Sequence, residues 1–331
     1  MNTALNTANR FVPLIRVLPI LLSTLCAAIV CSDAAGAEDR LATILDAKRV
    51  VFLGDSNTHA GEFIVQIEAA LLEKFGHAPE MINLGLASET CCGLSEPIHP
   101  FPRPNVLERL DRVLAKTNPD LVVSCYGMND GIYHPMDEAR FAAYQKGTEE
   151  IIAKVEASGA KLILLTPPPF DPLPYRLKGK LVRADADEFS WKTIYEHYDS
   201  EVIEKYAAWI MQQDDQVWAV VDTHTPLKAY LRDKRSSDPE YAFSNDGVHF
   251  DRAGHGVFAQ SVLRALGFGT DLAKNEELLK RVRQRQSISH PAWLSEVGHL
   301  RPGVAAGLPI EEAEAKIKPL SDAIKAASSL K

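Results

Sequence analysis

Short apolar runs alternate with helical patterns along most of the chain. Arg49–Leu53 (RVVFL), Glu80–Leu84 (EMINL), Leu121–Tyr126 (LVVSCY), Lys161–Thr166 (KLILLT) and Gln216–Val221 (QVWAVV) read as five buried strands. Between them, Phe63–Phe75 has apolar residues at helical spacing and stops at Gly76. Val106–Lys116, Glu138–Ser158 (closed by Gly159), Glu196–Asp214 and Arg252–Leu266 (closed by Gly267) follow the same logic. Strands that alternate with helices build parallel βαβ units, with the sheet covered on both faces. The predicted fold is therefore α/β: a three-layer α/β/α sandwich on a five-stranded parallel sheet of flavodoxin-like order 2-1-3-4-5. Right-handed crossovers then open a crevice at the carboxyl ends of strands 1 and 3.

The ends of the chain differ from this pattern. Arg10 and Arg16 precede an apolar run, Val17–Val30, and Ala35-Gly36-Ala37 is a small-residue cleavage pattern. Residues 1–37 read as a secretory signal peptide, which implies a secreted or periplasmic protein. A membrane anchor is the alternative, but the run is short for a bilayer span of about 20 residues. No stable membrane insertion is expected after cleavage. Cys26 and Cys31 lack the small preceding residue that lipoprotein processing wants. The domain is expected over 46–268 and a C-terminal extension over 269–331. In that extension Asp271–Arg285 reads as a charged helix, His290–Pro309 has no clear period, and Ile310–Lys331 is helical but interrupted at Pro319. About 60 residues bury little core, so the extension is expected to pack on the domain.

Composition narrows the function. The 331 residues are 46% hydrophobic and 24% charged, ordinary for a globular chain. The net charge of -8 speaks against a nucleic-acid partner, because an acidic surface repels phosphate backbones. After cleavage at Ala37, Cys91, Cys92 and Cys125 remain, an odd set and no disulfide framework. Cys125 reads as a small buried hydrophobe in a strand, and no Cys/His spacing suits a metal.

Three loops carry candidate chemistry. Gly54-Asp55-Ser56-Asn57 follows the first strand and opens a helix, where a serine sits in the crevice and its backbone N–H meets developing negative charge. The same residues would also serve as an ordinary helix cap. Gly127-Met128-Asn129-Asp130 follows the third strand and faces the first loop across the crevice; Asn129 could donate to an oxyanion, or form a plain turn. Asp246-Gly247-Val248-His249 precedes the last domain helix. A carboxylate three residues before a histidine on a tight turn can hold Nδ1 and leave Nε2 free as a base.

These three blocks, in this order, resemble the SGNH or GDSL-type hydrolase family over roughly residues 48–268, with Asn57 in place of the usual leucine. The resemblance implies a serine ester hydrolase that needs no cofactor or metal. Ser56 would be nucleophile, His249 base and Asp246 its orienting carboxylate. The oxyanion hole would be formed by Ser56 N–H, the Asn129 side chain and a backbone N–H from the loop after the second strand. That loop reads Asn83-Leu84-Gly85-Leu86-Ala87-Ser88-Glu89-Thr90, with Ser88 where the family has glycine. Ser88 is the expected donor and Gly85 the fallback, although serine tolerates positive φ less well than glycine.

The loop Pro167–Tyr195 is long and carries Phe170, Tyr175, Phe189, Trp191 and Tyr195, which could stack on sugar rings or pack the loop down. Glu89, Glu96, His99 and Arg103 are expected to form a second wall. His290, Trp293, His299 and Arg301 are expected chiefly to anchor the tail. Mixed polar loops favour a small O-acyl group on a carbohydrate or another small ester. The alternatives are a lipolytic esterase or lysophospholipase with the same triad, and a glycan-binding module without catalysis.

Overall fold

The computed structural model describes Met1 and residues 39–328; the apolar run and cleavage pattern of the N-terminus lie outside the described residues. The strands are β1 (Arg49–Gly54), β2 (Glu80–Asn83), β3 (Leu121–Cys125), β4 (Lys161–Leu165), β5 (Leu181–Val182), β6 (Ile194–Tyr195) and β7 (Ala219–Val221). Five of them form one parallel sheet in the order β2-β1-β3-β4-β7, while β5 and β6 make a small separate pair. The sequence order 2-1-3-4-5 is thus the observed one.

Alternate strand residues serve opposite layers. Val51, Leu53, Val122, Leu162 and Leu164 face a core completed by α3 (Leu110–Thr117) and α4 (Glu138–Ala157). Val50, Phe52, Val123, Cys125, Ile163 and Val221 face a second core with α2 (Glu62–Phe75), α7 (His224–Arg235) and α8 (Arg252–Ala265). With both faces covered, the strands have no polar face to alternate with, which is why they read as continuous apolar runs. The register pairs Gly54 with Cys125, so the loops after β1 and β3 leave the sheet side by side at the switch point.

Several elements differ from the sequence expectation. The fifth sheet strand starts at Ala219 rather than Gln216. The segment 198–213 is a π-turn, then α6 (Glu204–Ile210), then a 3-10 turn, instead of one helix. The loop after β4 contains α5 (Leu173–Leu177) and the β5–β6 pair. Helix α7 was not anticipated; its buried Leu227 and Leu231 are only four residues apart in an otherwise polar stretch.

The largest correction is in the extension. Helix α9 (Glu276–Val297) runs straight through Pro291, and α10 (Ile310–Ser328) runs through Pro319. A proline inside a helix costs about 3 kcal/mol. Around Pro291, burial of Trp293, Leu294 and Val297 against the main core offsets it, at roughly 1.5–3 kcal/mol for a fully buried apolar side chain. Leu278, Leu279 and Val282 of α9, with Ile324 of α10, pack on Val65, Ala69 and Leu72 of α2. Gln286 Nε2 donates to Met81 O at 2.9 Å, covering part of the sheet edge at β2. No helix among the described residues is long and apolar enough to cross a membrane.

Candidate active site

Ser56 is the first residue of the short helix α1 (Ser56–Ala60), directly beyond β1. Asp55 caps it, accepting from Asn57 N–H at 3.2 Å. Gly54 is required by closeness: a Cβ there would lie 2.2 Å from Thr58 Oγ1 and 2.8 Å from Cys125 O. Burial pushes the Asp55 carboxyl up to about 6, against the lowering effect of the Asn57 hydrogen bond. Ser56 is half-buried, and its N–H, the first of the helix, has no acceptor among the described residues.

His249 Nδ1–H donates to Asp246 Oδ2 at 2.7 Å, and Asp246 Oδ1 accepts the backbone N–H groups of Val248 and His249 at 3.0 and 2.8 Å. The hydrogen bond to Asp246 raises the His249 pKa above its ordinary 6.5. Burial alone would raise Asp246, but the hydrogen bond and charge of His249 outweigh it and hold the carboxyl well below the usual range. The pair therefore leaves Nε2 free. Ser56 Oγ and His249 Nε2 form no hydrogen bond in this structure.

Asn57 joins the two loops. Its Nδ2 donates to Val248 O at 2.9 Å and its Oδ1 accepts from Phe250 N–H at 3.1 Å, so one buried amide grips the backbone on both sides of His249. The sequence marked Asn57 only as a variation on leucine. A polar residue at a buried helix position was the signal available.

Ser88 has φ 70°, the left-handed region, which serine rarely adopts. Its N–H has no acceptor among the described residues, whereas Gly85 N–H is taken by Asn83 Oδ1 at 2.9 Å. Gly85 is instead needed for packing, since a Cβ would lie 2.4 Å from His59 N. Asn129 is buried; its Nδ2 donates to Glu89 O at 3.2 Å, next to Ser88, and its Oδ1 accepts from Tyr133 OH at 2.8 Å. The Tyr133 hydroxyl fixes which way that amide faces. Ile132 and Tyr133 both have positive φ, of 46° and 63°, so this loop carries backbone strain of the kind found at functional sites. No sequence pattern pointed to Tyr133.

The other candidates hold the walls in place. Glu89 is fully buried, bidentate to Arg109 at 2.7 and 2.6 Å and accepting from Tyr126 OH at 2.6 Å. Glu96 and Arg103 form a second buried bidentate pair at 2.6 and 2.7 Å. Phe170, Tyr175, Phe189 and Tyr195 are buried and pack the long loop down. Trp191 differs, with 40% of its surface exposed. Its carbonyl accepts from Tyr175 OH at 2.8 Å, and Tyr175 packs on Phe170, which lies against Gly247 of the Asp246–His249 turn. Cys91, Cys92 and Cys125 are free thiols; burial, then the charge of Asp130, pushes Cys91 and Cys92 up, so they stay protonated. In the tail, Trp293 is buried, His290 donates to Gly85 O at 3.0 Å, and Arg301 donates to Ala87 O at 2.7 Å.

One Asp/Glu/His group among the described residues has metal-like spacing: Asp199, Glu204 and His224. The Lys228 ammonium already binds both carboxylates there, so the cluster holds a cation of its own.

The model of the GDSL-like Lipase/Acylhydrolase family matches residues 52–257, from β1 into α8. This chain belongs to that family and is a carboxylic ester hydrolase. Among solved structures it is similar to a gut microbial diltiazem-metabolizing enzyme, with 21% identity and TM-score 0.53, over 67% of this chain and 47% of that one. The chain thus spans about half the length of that protein. It is also similar to a mutant of Axe2, an acetyl-xylooligosaccharide esterase from Geobacillus Stearmophilus, with 18% identity and TM-score 0.50, over 68% of this chain and 97% of that one. No curated protein sequence matches the chain. The solved structures share the fold.

Proposed function

We propose that this protein is an exported serine esterase that removes short O-acyl groups, acetyl foremost, from carbohydrate. His249 takes the proton of Ser56 Oγ as the oxygen attacks the ester carbonyl. Asp246 keeps His249 in the right tautomer and stabilises its charged form. The N–H groups of Ser56 and Ser88 and the Asn129 amide receive the oxyanion; losing one such donor typically costs about 100- to 1,000-fold. His249 then protonates the leaving sugar hydroxyl, and a water activated by the same histidine releases the acyl group.

The observation that carries this reading is the Asp246–His249 pair, held beside the Ser56 helix by the Asn57 amide. A binding module needs no such pair. The exposed Trp191 ring, on the loop that leans on the Asp246–His249 turn, supports a sugar substrate, because a flat ring stacks on a pyranose face. The likeness to an acetyl-xylooligosaccharide esterase points the same way. The test is release of carboxylic acid from a panel of acetylated oligosaccharides and from 4-nitrophenyl esters of two to sixteen carbons. Acetate release from the sugars and a steep fall with chain length are expected. A preference for long chains would instead identify a lipolytic esterase.

A further inference from the structure

The peptide unit that carries Ser88 N–H also carries Ala87 C=O, and the C-terminal extension holds that carbonyl. Arg301 Nε donates to Ala87 O at 2.7 Å. The next carbonyl, Ser88 O, accepts from Arg103 Nη1 at 3.3 Å. Two guanidinium groups therefore grip the carbonyls on either side of a residue in a strained, left-handed conformation. In a trans peptide the N–H points opposite the C=O. Fixing Ala87 O toward Arg301 therefore turns Ser88 N–H away from that side chain.

Arg301 is placed to act electrostatically as well. Among the described residues no carboxylate lies within ion-pair distance of it, so its charge is not neutralised locally. Its guanidinium lies over the Phe101 ring at 5.2 Å, and a second nitrogen donates to Pro302 O at 3.1 Å. A charged donor on a carbonyl polarises the whole peptide and strengthens its N–H as a donor. The segment bearing Arg301 is itself tied down: Arg112 Nε donates to Val297 O at 2.8 Å and Gly307 N–H donates to Ser295 Oγ at 2.8 Å. Residue 301 lies beyond 52–257, the span matched by the family model.

We propose that the extension is part of the catalytic apparatus, with Arg301 as a positioning residue that orients and polarises the Ala87–Ser88 peptide of the oxyanion hole. This rests on the oxyanion role given to Ser88 under the proposed function. In this role Arg301 acts through the peptide, so its effect is expected on kcat.

The test compares Arg301→Ala and Arg301→Lys with wild type, in the normal chain and in a chain whose residue 88 is the α-hydroxy acid analogue of serine. That analogue replaces Ser88 N–H by an ester oxygen. Arg301→Ala is expected to lower kcat about tenfold, less than outright loss of a donor. KM should be unchanged, and affinity for a methylboronate transition-state analogue should fall by the same factor. Arg301→Lys should recover part of the loss, and carries the comparison if the alanine variant fails to fold. In the 88-ester background, already slow, removing Arg301 should change kcat less than twofold. Wild-type kcat in both Arg301 variants, alongside a collapsed 88-ester enzyme, overturns the role of Arg301 alone. An equal loss in both backgrounds also overturns it. An 88-ester enzyme with wild-type kcat overturns the Ser88 reading and this proposal with it.

Discussion

Replacing Asn57 by leucine, the residue common in the family, isolates the amide that spans the two halves of the site. The change keeps the branched shape, with methyls bulkier than the amide atoms they replace, but removes the donor to Val248 O and the acceptor for Phe250 N–H. A buried polar group left unpaired costs about 1–3 kcal/mol. Water can reach the turn because the His249 side chain is half exposed, so the sum should stay near the low end, about 2–3 kcal/mol. For a chain of this size that corresponds to a fall in Tm of roughly 3–5 °C. The kinetic effect should be larger than the thermal one suggests. A shift of about 1 Å in a catalytic group costs on the order of 100-fold, and the lost contacts flank the base itself. Steady-state hydrolysis of 4-nitrophenyl acetate should show kcat lowered about 100-fold, with KM within threefold, because the Asn57 side chain is buried. Asn57→Asp keeps the acceptor for Phe250 N–H and should fall between the two. A leucine variant with kcat within threefold of wild type, whatever its Tm, would refute the claim that this amide positions His249.

The hydrogen bond to Asp246 raises the pKa of His249 above 6.5, and catalysis needs its neutral form, so kcat/KM should fall on the acid side with a midpoint above 6.5. Asp246→Asn removes the cause, and the midpoint should move to lower pH along with a large loss of rate; a wild-type midpoint below 6.5 would count against the pairing. Ser88→Gly keeps the backbone N–H and relieves a left-handed serine, which costs roughly 1–2 kcal/mol. After the entropy cost of glycine, a Tm no lower than wild type and kcat within threefold are expected by calorimetry and steady-state assay. Tyr133→Phe frees the Asn129 amide to rotate and should lower kcat about tenfold with little change in KM, since less than a full donor is lost.

The sheet was legible because its strands are buried on both sides, and an uninterrupted apolar run such as RVVFL has few other readings. The loops after β1 and β3 followed from the switch-point rule, and the Asp246–His249 contact from its three-residue spacing. What the sequence hid depends on long-range pairing. Asn57 meets its partners 191 and 193 residues away, and no local pattern encodes that. Tyr133 is useful only through a strained backbone, and strain leaves no mark on residue type. The tail reads as broken at its prolines because local propensity is against them, while the burial that carries α9 through Pro291 is tertiary. The aromatic loop misled in the other direction. Four of its five rings are packing residues, and only exposure in the folded chain separates Trp191 from them.

The most direct measurement is covalent. A fluorophosphonate probe should label the wild-type protein at one site, mapped by mass spectrometry to the peptide that contains Ser56. Labelling should disappear in Ser56→Ala together with ester hydrolysis, and should slow sharply in the folded His249→Ala variant. Labelling elsewhere, or esterase activity that survives Ser56→Ala, would contradict the assignment of Ser56 as the nucleophile.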